Sequence, residues 1–364
     1  MGLGGHGRFL RIASGVDDSA FGVAARAALV PFSLGYGMAM AVRGGLYRAG
    51  VLGSARAQCP VVSVGNITVG GTGKTPMVAY LAGLLKREGL KPAVLMRGYR
   101  AVSPSGMGDE GLALRKVLPD VPVLCDRDRV SAATEAVSSH GANVLVLDDG
   151  FQHHRLARDL DVVTVDAVCP FGCGLLLPAG LLREPVSALG RANVIAVTRT
   201  DEVGEESVRE TERRLKKAAP KATLARCVHK AVRVDFPQEG REGGVGELGS
   251  RKVAAFCGIG RPESFRRTVE SLCGEVVMFR EFPDHYLYDA EEIMALGREA
   301  KELGAELIAS TEKDYARLGS APELGIPLGV IAIELVVTSG EDALETRVME
   351  AVRGAMRGAE GGGG

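Results

Sequence analysis

The stretch that decides the fold is "SVGNITVGGTGKTP", Ser63 to Pro76. It overlaps an apolar, β-branched run, "CPVVSVGNI", which covers Cys59–Ile67 and predicts a buried parallel strand. After the glycines, the apolar residues of "KTPMVAYLAGLLKREG" recur at helical spacing up to Gly89. A strand, a glycine-rich turn and a helix in this order form the setting of a phosphate-binding P-loop.

The loop itself departs from the strict pattern G-x-x-x-x-G-K-[ST] at one position, because Thr68 replaces the first glycine. Gly70 and Gly71 still allow the backbone to curl. Backbone N–H groups of such a loop bind phosphate oxygens, the lysine reaches the β- and γ-phosphates, and the hydroxyl ligates Mg²⁺. We therefore predict a site for ATP and Mg²⁺ formed by Thr68, Val69, Gly70, Gly71, Thr72, Gly73, Lys74 and Thr75.

A second apolar strand carries the acidic residues that a magnesium-nucleotide site needs. In "ANVLVLDDGFQHHR", Ala142–Arg155, the run "VLVL" is followed directly by Asp148 and Asp149. A carboxylate at the end of such a strand holds the Mg²⁺ shell in Walker B fashion. We predict that Asp148 and Asp149 serve the metal and that Lys74 and Asp149 take part in catalysis, while the neighbouring histidines alone indicate little.

Composition limits the classes of partner and compartment. The chain has 364 residues and a formal net charge of -1, so it has no overall basic field for nucleic acid. Its seven cysteines are scattered, and only Cys169 and Cys173 lie close together. No second pair or nearby histidine completes a zinc set, which favours reduced thiols in a cytosolic protein.

The N-terminal region contains an uncharged run of 16 residues, Ala27–Val42, bracketed by Arg26 and Arg43. Three interpretations compete. A secretory signal peptide is disfavoured, because the run begins far from Met1 and export would remove the nucleotide loop from ATP. A buried core helix and a helix in the membrane interface both fit the residues. The interface helix would place in the acyl region Leu29, Phe32, Leu34, Met38 and Met40.

The rest of the chain alternates strands and helices, which predicts an α/β fold with a mostly parallel sheet. The predicted strands are Pro92–Met96, Val121–Cys125, Asn143–Leu147, Asp161–Asp166, Asn193–Thr198, Val253–Cys257, Glu306–Ser310 and Leu328–Val336. The predicted helices are Arg129–Ser139, Val203–Ala219, Pro262–Leu272 and Asp289–Leu303.

These elements predict a division of the chain into a larger and a smaller α/β domain. The predicted segments are an N-terminal hydrophobic segment 1–57, a P-loop kinase domain 58–235, a glycine-rich hinge 236–251, a smaller domain 252–336 and a C-terminal segment 337–364. The last segment should form a helix, followed by a disordered tail, "RGAEGGGG", with too little apolar content to pack.

Several motifs in this order resemble the tetraacyldisaccharide 4'-kinase family of the lipid A pathway. Besides the P-loop and "DDGFQHH", they are "RGY" at Arg97–Tyr99, "LLPAGLLREP" at Leu176–Pro185, "GIGRPESF" and "TEKD". The resemblance runs from about Pro31 to about Val336, and the combination of "DDGFQH" with "LPAGxLREP" is its most specific part.

The resemblance implies a lipid kinase of Gram-negative bacteria. The family transfers the γ-phosphate of ATP to the 4'-hydroxyl of a tetraacylated glucosamine disaccharide 1-phosphate, a step of lipopolysaccharide biosynthesis. It acts at the cytoplasmic face of the inner membrane, with an N-terminal hydrophobic helix in the interface. We therefore expect Ala27–Val42 to be a membrane anchor, the partners to be this lipid and the membrane surface, and no nucleic acid to bind.

The resemblance also implies roles for particular residues. Asp109, in "GMGDEGLAL", matches the acidic residue that helps to activate the acceptor hydroxyl, and His285, in "FPDHYLY", matches its histidine partner. A carboxylate so placed can orient a sugar hydroxyl or accept its proton, and a bonded histidine can tune its pKa. Arg129, His153 and Arg183 fall at positions that suggest contacts to phosphate or to the anionic lipid head.

The main alternative is a membrane-associated P-loop GTPase or ATPase switch. "TRTD", Thr198–Asp201, follows a predicted strand and faintly resembles the Asn-Lys-x-Asp motif that selects guanine, but the asparagine and the lysine are both missing. A metal-delivery or partitioning ATPase would share the loop without explaining "LPAGLLREP". A non-catalytic nucleotide-binding module would not need the lysine, hydroxyl and acidic pair together.

Overall fold

The computed structural model describes residues 12–15, 17–98, 108–284, 286–318 and 323–360. The chain forms two compact units. Unit 1 contains residues 1–228 and 337–364, and unit 2 contains residues 229–336. The chain therefore leaves unit 1 and returns to it, and the C-terminal segment belongs to the same unit as the phosphate-binding loop.

Unit 1 contains a parallel sheet with helices. Its strands are β1 (Val61–Gly65), β2 (Pro92–Met96), β3 (Val123–Cys125), β4 (Val144–Asp148), β5 (Leu160–Asp166), β6 (Val194–Thr198) and the first part of β7 (Thr223–Phe236). Its helices are α1 (Ala20–Arg48), α2 (Lys74–Arg87), α3 (Asp109–Val117), α4 (Arg129–His140), α5 (Glu205–Ala218) and a C-terminal helix, Glu341–Glu360.

The strand order in unit 1 is β7-β6-β5-β1-β4-β2-β3, and every pair between these neighbours is parallel. β1 lies in the middle, between β4 and β5, and all five of its residues are buried. Parallel strands buried on both faces read as continuous apolar runs, which is why β1, β4 and β6 were recognisable in the sequence. Because carboxyl ends of parallel strands share one edge, the loops after β1, β4, β5 and β6 meet there.

In unit 2 the strands follow the order β10-β9-β11-β12-β7, with β8 antiparallel to β7. Its further elements are β8 (Arg241–Gly243), β9 (Lys252–Cys257), α6 (Pro262–Leu272), β10 (Glu275–Glu281), α7 (Ala290–Glu302), β11 (Leu307–Thr311), α8 (Glu312–Leu318) and β12 (Leu328–Ser339). The C-terminal helix of unit 1 is α9.

The "TEKD" motif forms a buried polar centre in unit 2. The carboxylate of Asp314 is fully buried and accepts hydrogen bonds from the N–H of Gly258 at 2.9 Å and from the hydroxyl of Tyr288 at 2.8 Å. Thr311 donates to the same carboxylate at 2.6 Å, and Arg317 forms a 3.1 Å ion pair with it. Asp314 therefore ties "GIGRPESF" and the segment before α7 to helix α8.

Helix α1 is longer than the apolar run that predicted it, with 29 residues and Pro31 inside it. By length and composition it could cross a membrane, with a mean hydropathy of 1.3 and only 6% of its most apolar window buried. The interpretation as a buried core helix is therefore wrong. Its outer face exposes Phe21, Val23, Phe32, Leu34, Met38, Val42 and Leu46, whereas Leu29 and Met40 are half-buried.

The predicted α/β class with a mostly parallel sheet is confirmed, and most predicted elements lie within two residues of the observed ones. Two predictions need correction. The stretch 236–251, expected to be a loop or hinge, contains β8 and a short 3₁₀ turn. Helix α9 continues to Glu360, into the predicted tail, because residues 341–360 offer an apolar face that packs with buried Leu344, Val348 and Val352.

Candidate active site

The phosphate-binding loop joins β1 to α2 and depends on glycine at two places. Gly73 caps α2 with φ 83°, in the left-handed region that glycine adopts without strain. At Gly65 a Cβ atom would lie 2.5 Å from the Cβ of Phe151, so the backbone of β1 requires a residue without a side chain. Lys74 and Thr75 then begin the helix, at the end that attracts anions.

The acidic pair lies beside this loop because of the sheet register. β4 pairs in parallel with β1, and Asp148 is the register partner of Val64. Asp148 is buried, and Asp149 follows it with φ 51°, a left-handed conformation that aspartate tolerates better than most residues. The tight turn after β4 thus presents two carboxylates at the edge where the loop forms.

Asp149 is held by two cationic side chains. Arg183 donates to both carboxylate oxygens, at 2.7 Å and 3.1 Å, and the Nζ atom of Lys74 lies 3.6 Å from Oδ1. Burial by itself raises the pKa of Asp149. The hydrogen bonds from Arg183 and the charges of Lys74, Arg183 and Arg129 outweigh burial and lower the pKa to about 2. Asp149 is therefore ionised at neutral pH.

Arg129 approaches the same turn from helix α4. Its side chain is buried and donates from Nη2 to the backbone carbonyl of Asp148 at 2.8 Å. Burial lowers its pKa from the usual value, and the charges of Asp148 and Asp149 act in the opposite direction. Within the described part of the chain, its Nε atom has no hydrogen-bond partner. A buried guanidinium with an unused donor is suited to an anionic group.

Hydrogen bonds connect the motifs "DDGFQHH" and "LLPAGLLREP". Gln152 donates to the carbonyl of Asn66 at 2.8 Å and to Glu184 at 3.1 Å. Glu184 in turn accepts two hydrogen bonds from Arg191, whose guanidinium lies 4.2 Å from the ring centre of Phe151. This network ties the turn after β4 to the start of the phosphate-binding loop.

The two histidines of the motif are neutral at physiological pH. Burial, together with the charges of nearby arginines, lowers the pKa of both His153 and His154 to about 4. His154 stacks with Tyr47 of α1, the ring centres being 5.2 Å apart. Among the described residues, Nε2 of His153 has no hydrogen-bond partner. That nitrogen is therefore buried without a protein partner in the described part of the chain.

The segment "LLPAGLLREP" connects helix α1 to the loop. The N–H of Val69 donates to the carbonyl of Leu181 at 2.8 Å, and the N–H of Arg183 donates to the carbonyl of Ile67 at 2.7 Å. On the other side, Tyr36 donates to the carbonyl of Arg183 at 2.9 Å, and Ser33 donates to the carbonyl of Leu176 at 2.9 Å. One short segment thus contacts both the apolar helix and the phosphate-binding loop.

A family model described as LpxK, tetraacyldisaccharide-1-P 4'-kinase, matches residues 25–353. The chain belongs to the tetraacyldisaccharide 4'-kinase family. The chain is 39% identical to the tetraacyldisaccharide 4'-kinase of Syntrophus aciditrophicus (strain SB), covering 88% of this chain and 92% of that protein. It is 42% identical to that of Anaeromyxobacter dehalogenans (strain 2CP-C), covering 84% and 85%.

A solved structure leads to the same family. The crystal structure of the "apo" form of LpxK from Aquifex aeolicus in complex with ATP superposes with a TM-score of 0.70 at 28% identity, covering 90% of this chain and 99% of that one. Membership in the tetraacyldisaccharide 4'-kinase family confirms the predicted ATP-dependent lipid kinase of lipid A biosynthesis, with an alcohol group as acceptor. The alternative of a GTPase or ATPase switch is not favoured.

The oxygen donors at this edge of the sheet are of the kind that Mg²⁺ prefers. Asp148 and Asp149 stand at the end of the strand paired with β1, and the Thr75 hydroxyl is in the first turn of α2. Among the described residues, no cluster of three or more histidine, cysteine or acidic side chains could hold a metal alone. Mg²⁺ binds through one or two carboxylates and completes its shell with phosphates and water, so the carboxylates and the hydroxyl present would suffice to hold it.

The structure brings together most of the predicted site residues of this tetraacyldisaccharide 4'-kinase family member. Lys74 and Arg183 both contact Asp149, and Arg129 donates to the backbone carbonyl of Asp148. Asp109 is the first residue of α3, but its side chain lies outside the described part, as does His285 entirely. Their predicted pairing therefore stays a prediction.

Several polar residues that shape the site were not predicted from the sequence. Asn66, Gln152 and Glu184 link the two family motifs, and Thr198 and Arg199 contact the phosphate-binding loop. Asn66, Gln152 and Glu184 could have been predicted as site residues, because each lies within a motif quoted from the sequence. Thr198 and Arg199 were considered only as part of "TRTD", which matches the guanine-selecting motif incompletely.

Proposed function

We propose that this chain transfers the γ-phosphate of ATP to the 4'-hydroxyl of tetraacyldisaccharide 1-phosphate, with Lys74 and the acidic pair at the reacting phosphate. The observation that best supports this proposal is that Lys74 and Arg183 both contact Asp149 beside the phosphate-binding loop. This arrangement places two cations and a carboxylate that is ionised at neutral pH at one end of the sheet. Cations there can balance the charge that builds up on the transferred phosphoryl group.

The backbone N–H groups of residues 68–75 and the amino end of α2 bind the phosphates in this proposal. Lys74 would contact the β- and γ-phosphates, and Thr75, Asp148 and Asp149 would hold Mg²⁺. When bound, Mg²⁺ supplies charge neutralisation at the phosphate oxygens. The low pKa of Asp149 supports its role, because an ionised carboxylate is available to the metal shell at any physiological pH.

Asp109 and His285 act on the acceptor in this proposal, which rests for them on the family resemblance. Asp109 orients the 4'-hydroxyl and takes its proton as the oxygen forms a bond to the γ-phosphorus. The bond between that phosphorus and the bridging oxygen breaks at the same time, and ADP leaves with the electron pair. His285 orients the carboxylate of Asp109 and tunes its pKa.

Arg129, His153 and Arg183 bind anionic groups of the nucleotide or of the lipid head. The unpartnered Nε of Arg129 and the unpartnered Nε2 of His153, both within the described residues, support this assignment. Because the pKa of His153 is about 4, it contributes as a neutral hydrogen-bonding group and not as a cation. Arg183 already binds Asp149 in a bidentate manner, so it contributes charge through that pair.

In this proposal the enzyme works at the cytoplasmic face of the inner membrane, and the apolar face of α1 holds it there beside its lipid substrate. Exposed Phe32, Leu34 and Met38 support this part of the proposal, because uncovered apolar side chains on one helix gain free energy by entering the acyl region. The same helix contacts "LLPAGLLREP" through Ser33 and Tyr36, next to the phosphate-binding loop.

The deciding experiment incubates the purified protein with γ-labelled ATP, Mg²⁺ and detergent-dispersed tetraacyldisaccharide 1-phosphate. Lys74→Ala and Asp109→Ala are assayed beside it, with Lys86→Ala as a control because Lys86 is exposed on the same helix. We expect label in the lipid, loss of label with Lys74→Ala, and loss of turnover by orders of magnitude with Asp109→Ala at near-normal ATP binding. ATP hydrolysis without labelled lipid would refute the assigned acceptor, and near-normal turnover of Asp109→Ala would remove Asp109 from the mechanism.

A further inference from the structure

The "TRTD" stretch, which the kinase reaction does not explain, lies against the phosphate-binding loop. Thr198 is the last residue of β6, and Arg199 follows it at the carboxyl edge of the sheet. The Thr198 hydroxyl donates to the carbonyl of Thr72 at 3.0 Å, and Nη2 of Arg199 donates to the carbonyl of Gly71. Two consecutive residues thus hold two consecutive carbonyls of the loop.

The consequence follows from the planarity of the trans peptide, in which a carbonyl and the N–H of the next residue point in opposite directions. Holding the carbonyls of Gly71 and Thr72 on the side of β6 therefore turns the N–H groups of Thr72 and Gly73 to the opposite side. Within the described part of the chain, neither N–H donates a hydrogen bond to a protein acceptor. Oriented, unused N–H groups in such a loop are the donors that phosphate oxygens require.

The side chain of Thr72 is fixed from the same direction. Its buried hydroxyl accepts a hydrogen bond from Asn66 at 3.0 Å and shares one with the hydroxyl of Thr164, on β5, at 2.8 Å. Thr164 also donates to the carbonyl of Gly65 at 3.2 Å. Hydrogen bonds to the backbone carbonyls of the loop and to the side chain of Thr72 thus anchor the loop to the strands on one side of β1.

Arg199 is itself held in an uncommon conformation. Its φ of 55° lies in the left-handed region, which non-glycine residues rarely adopt, and the side chain is buried. A 2.8 Å ion pair with buried Asp166, at the end of β5, directs the guanidinium. Strained backbone that persists in a folded protein is held there by its surroundings and is concentrated at functional sites.

We propose that Thr198 and Arg199 are positioning residues for ATP, which orient the N–H groups of Thr72 and Gly73 toward the nucleotide phosphates. They do not read the base, so "TRTD" serves a different purpose from the guanine motif it faintly resembles. The inference rests on the proposed function only through the shared ATP site. It concerns phosphate affinity and not the lipid acceptor.

The test measures ATP binding without lipid, by calorimetry, for the full chain in detergent. Thr198→Val removes the hydroxyl while keeping the shape, and Thr198→Ser restores the donor. We expect about a tenfold weaker Kd for ATP in Thr198→Val, as for loss of one oriented hydrogen bond, and recovery within about threefold in Thr198→Ser. The KM for ATP should rise in parallel, with the KM for the lipid unchanged.

A matched control separates positioning from general destabilisation. Thr211→Val changes a threonine of similar burial on α5 and should leave the ATP affinity unchanged. If Thr198→Val is too unstable to assay, Arg199→Met tests the neighbouring peptide independently, with the same expectation. Wild-type ATP affinity in a folded Thr198→Val or Arg199→Met protein would overturn the proposal. Failure of the wild type to label the lipid would instead refute only the proposed acceptor.

Discussion

Arg183 binds the carboxylate of Asp149 with both ends of its guanidinium, Nη1 to Oδ1 at 2.7 Å and Nη2 to Oδ2 at 3.1 Å. The two residues come from the two most specific motifs of the sequence, which also share a hydrogen bond from Gln152 to Glu184. A planar fork on a carboxylate fixes orientation as well as charge. The pair therefore sets the direction in which Asp149 faces the phosphate-binding loop.

Replacing Arg183 by lysine should lower turnover strongly although the charge is retained. Lysine cannot bind both oxygens, so Asp149 loses its fixed orientation and its pKa rises from about 2 toward the ordinary value. We expect kcat to fall by about 10- to 100-fold, as for one charge-assisted hydrogen bond. Steady-state kinetics with saturating ATP and lipid measures the effect.

The control for this variant is Arg226→Lys. Arg226 makes an equally forked pair with Glu212, at 2.8 Å and 2.9 Å, and its exposure is close to that of Arg183. Because this pair lies between β7 and α5, we expect kcat to be unchanged. Equal losses in the two variants would mean that the effect of Arg183 is a general one on the fold.

The two neutral histidines should make the protein less stable in mild acid. Their pKa is about 4 in the folded chain against 6.5 in an unfolded one, so between these values the unfolded state binds more protons. The free energy of unfolding should therefore decrease as pH falls from 6.5 to 4. The slope cannot exceed about 1.4 kcal/mol per pH unit for each residue, because each imidazole takes up at most one proton.

Denaturant unfolding of the wild type and of His153→Gln with His154→Gln measures this dependence. Glutamine does not titrate, so the double variant should lose most of the slope in that pH range. His140→Gln is the control, since His140 is exposed at the end of α4. A slope that persists in the double variant would assign the acid sensitivity to other groups.

The docking of helix α1 should depend on one buried hydroxyl. Ser33 accepts a hydrogen bond from the N–H of Ala179 at 2.9 Å and donates to the carbonyl of Leu176. Ser33→Ala leaves that buried N–H without its acceptor, which costs about 1–3 kcal/mol. We expect faster amide hydrogen exchange along α1 and a raised KM for the lipid. Ser207→Ala, at an exposed serine of α5, should change neither, and unchanged exchange in Ser33→Ala would refute the anchoring role.

Membrane association should require the outer face of α1. Leu34 and Met38 are exposed by 69% and 67%, and burying each in the acyl region contributes about 1.5–3 kcal/mol. The double variant Leu34→Asp with Met38→Asp should therefore lower partitioning into anionic phospholipid vesicles more than about 100-fold. Flotation measures this loss, and Leu303→Asp, at an exposed leucine in unit 2, is the control. Equal flotation of the double variant and the wild type would exclude this face as the membrane contact.

The sequence by itself determined the phosphate-binding loop, the acidic pair and the family. Each of these signals is local: a β-branched run, a glycine-rich turn and an amphipathic helix within about 30 residues, or a contiguous motif such as "DDGFQHH". The buried parallel strands were predictable for the same reason, because strands covered on both faces must be apolar throughout. Strand β10 and the length of β7 were not predicted, since the apolar run of β10 is short, half-buried and flanked by charged residues, and β7 mixes apolar with polar residues.

Only the tertiary structure decided which polar groups meet. Arg183 reaches Asp149 across 34 residues of chain, and Thr198 reaches the carbonyl of Thr72 across 126. Such hydrogen bonds depend on the strand register and on left-handed turns at Asp149 and Arg199, which residue types alone do not specify. A hydrogen bond forms only when the donor–acceptor distance lies within a few tenths of an ångström of its preferred value. Recognising a motif in the sequence therefore does not identify the hydrogen-bond partners of its side chains. The physical reason is that local patterns select elements, whereas packing of those elements selects the contacts between them.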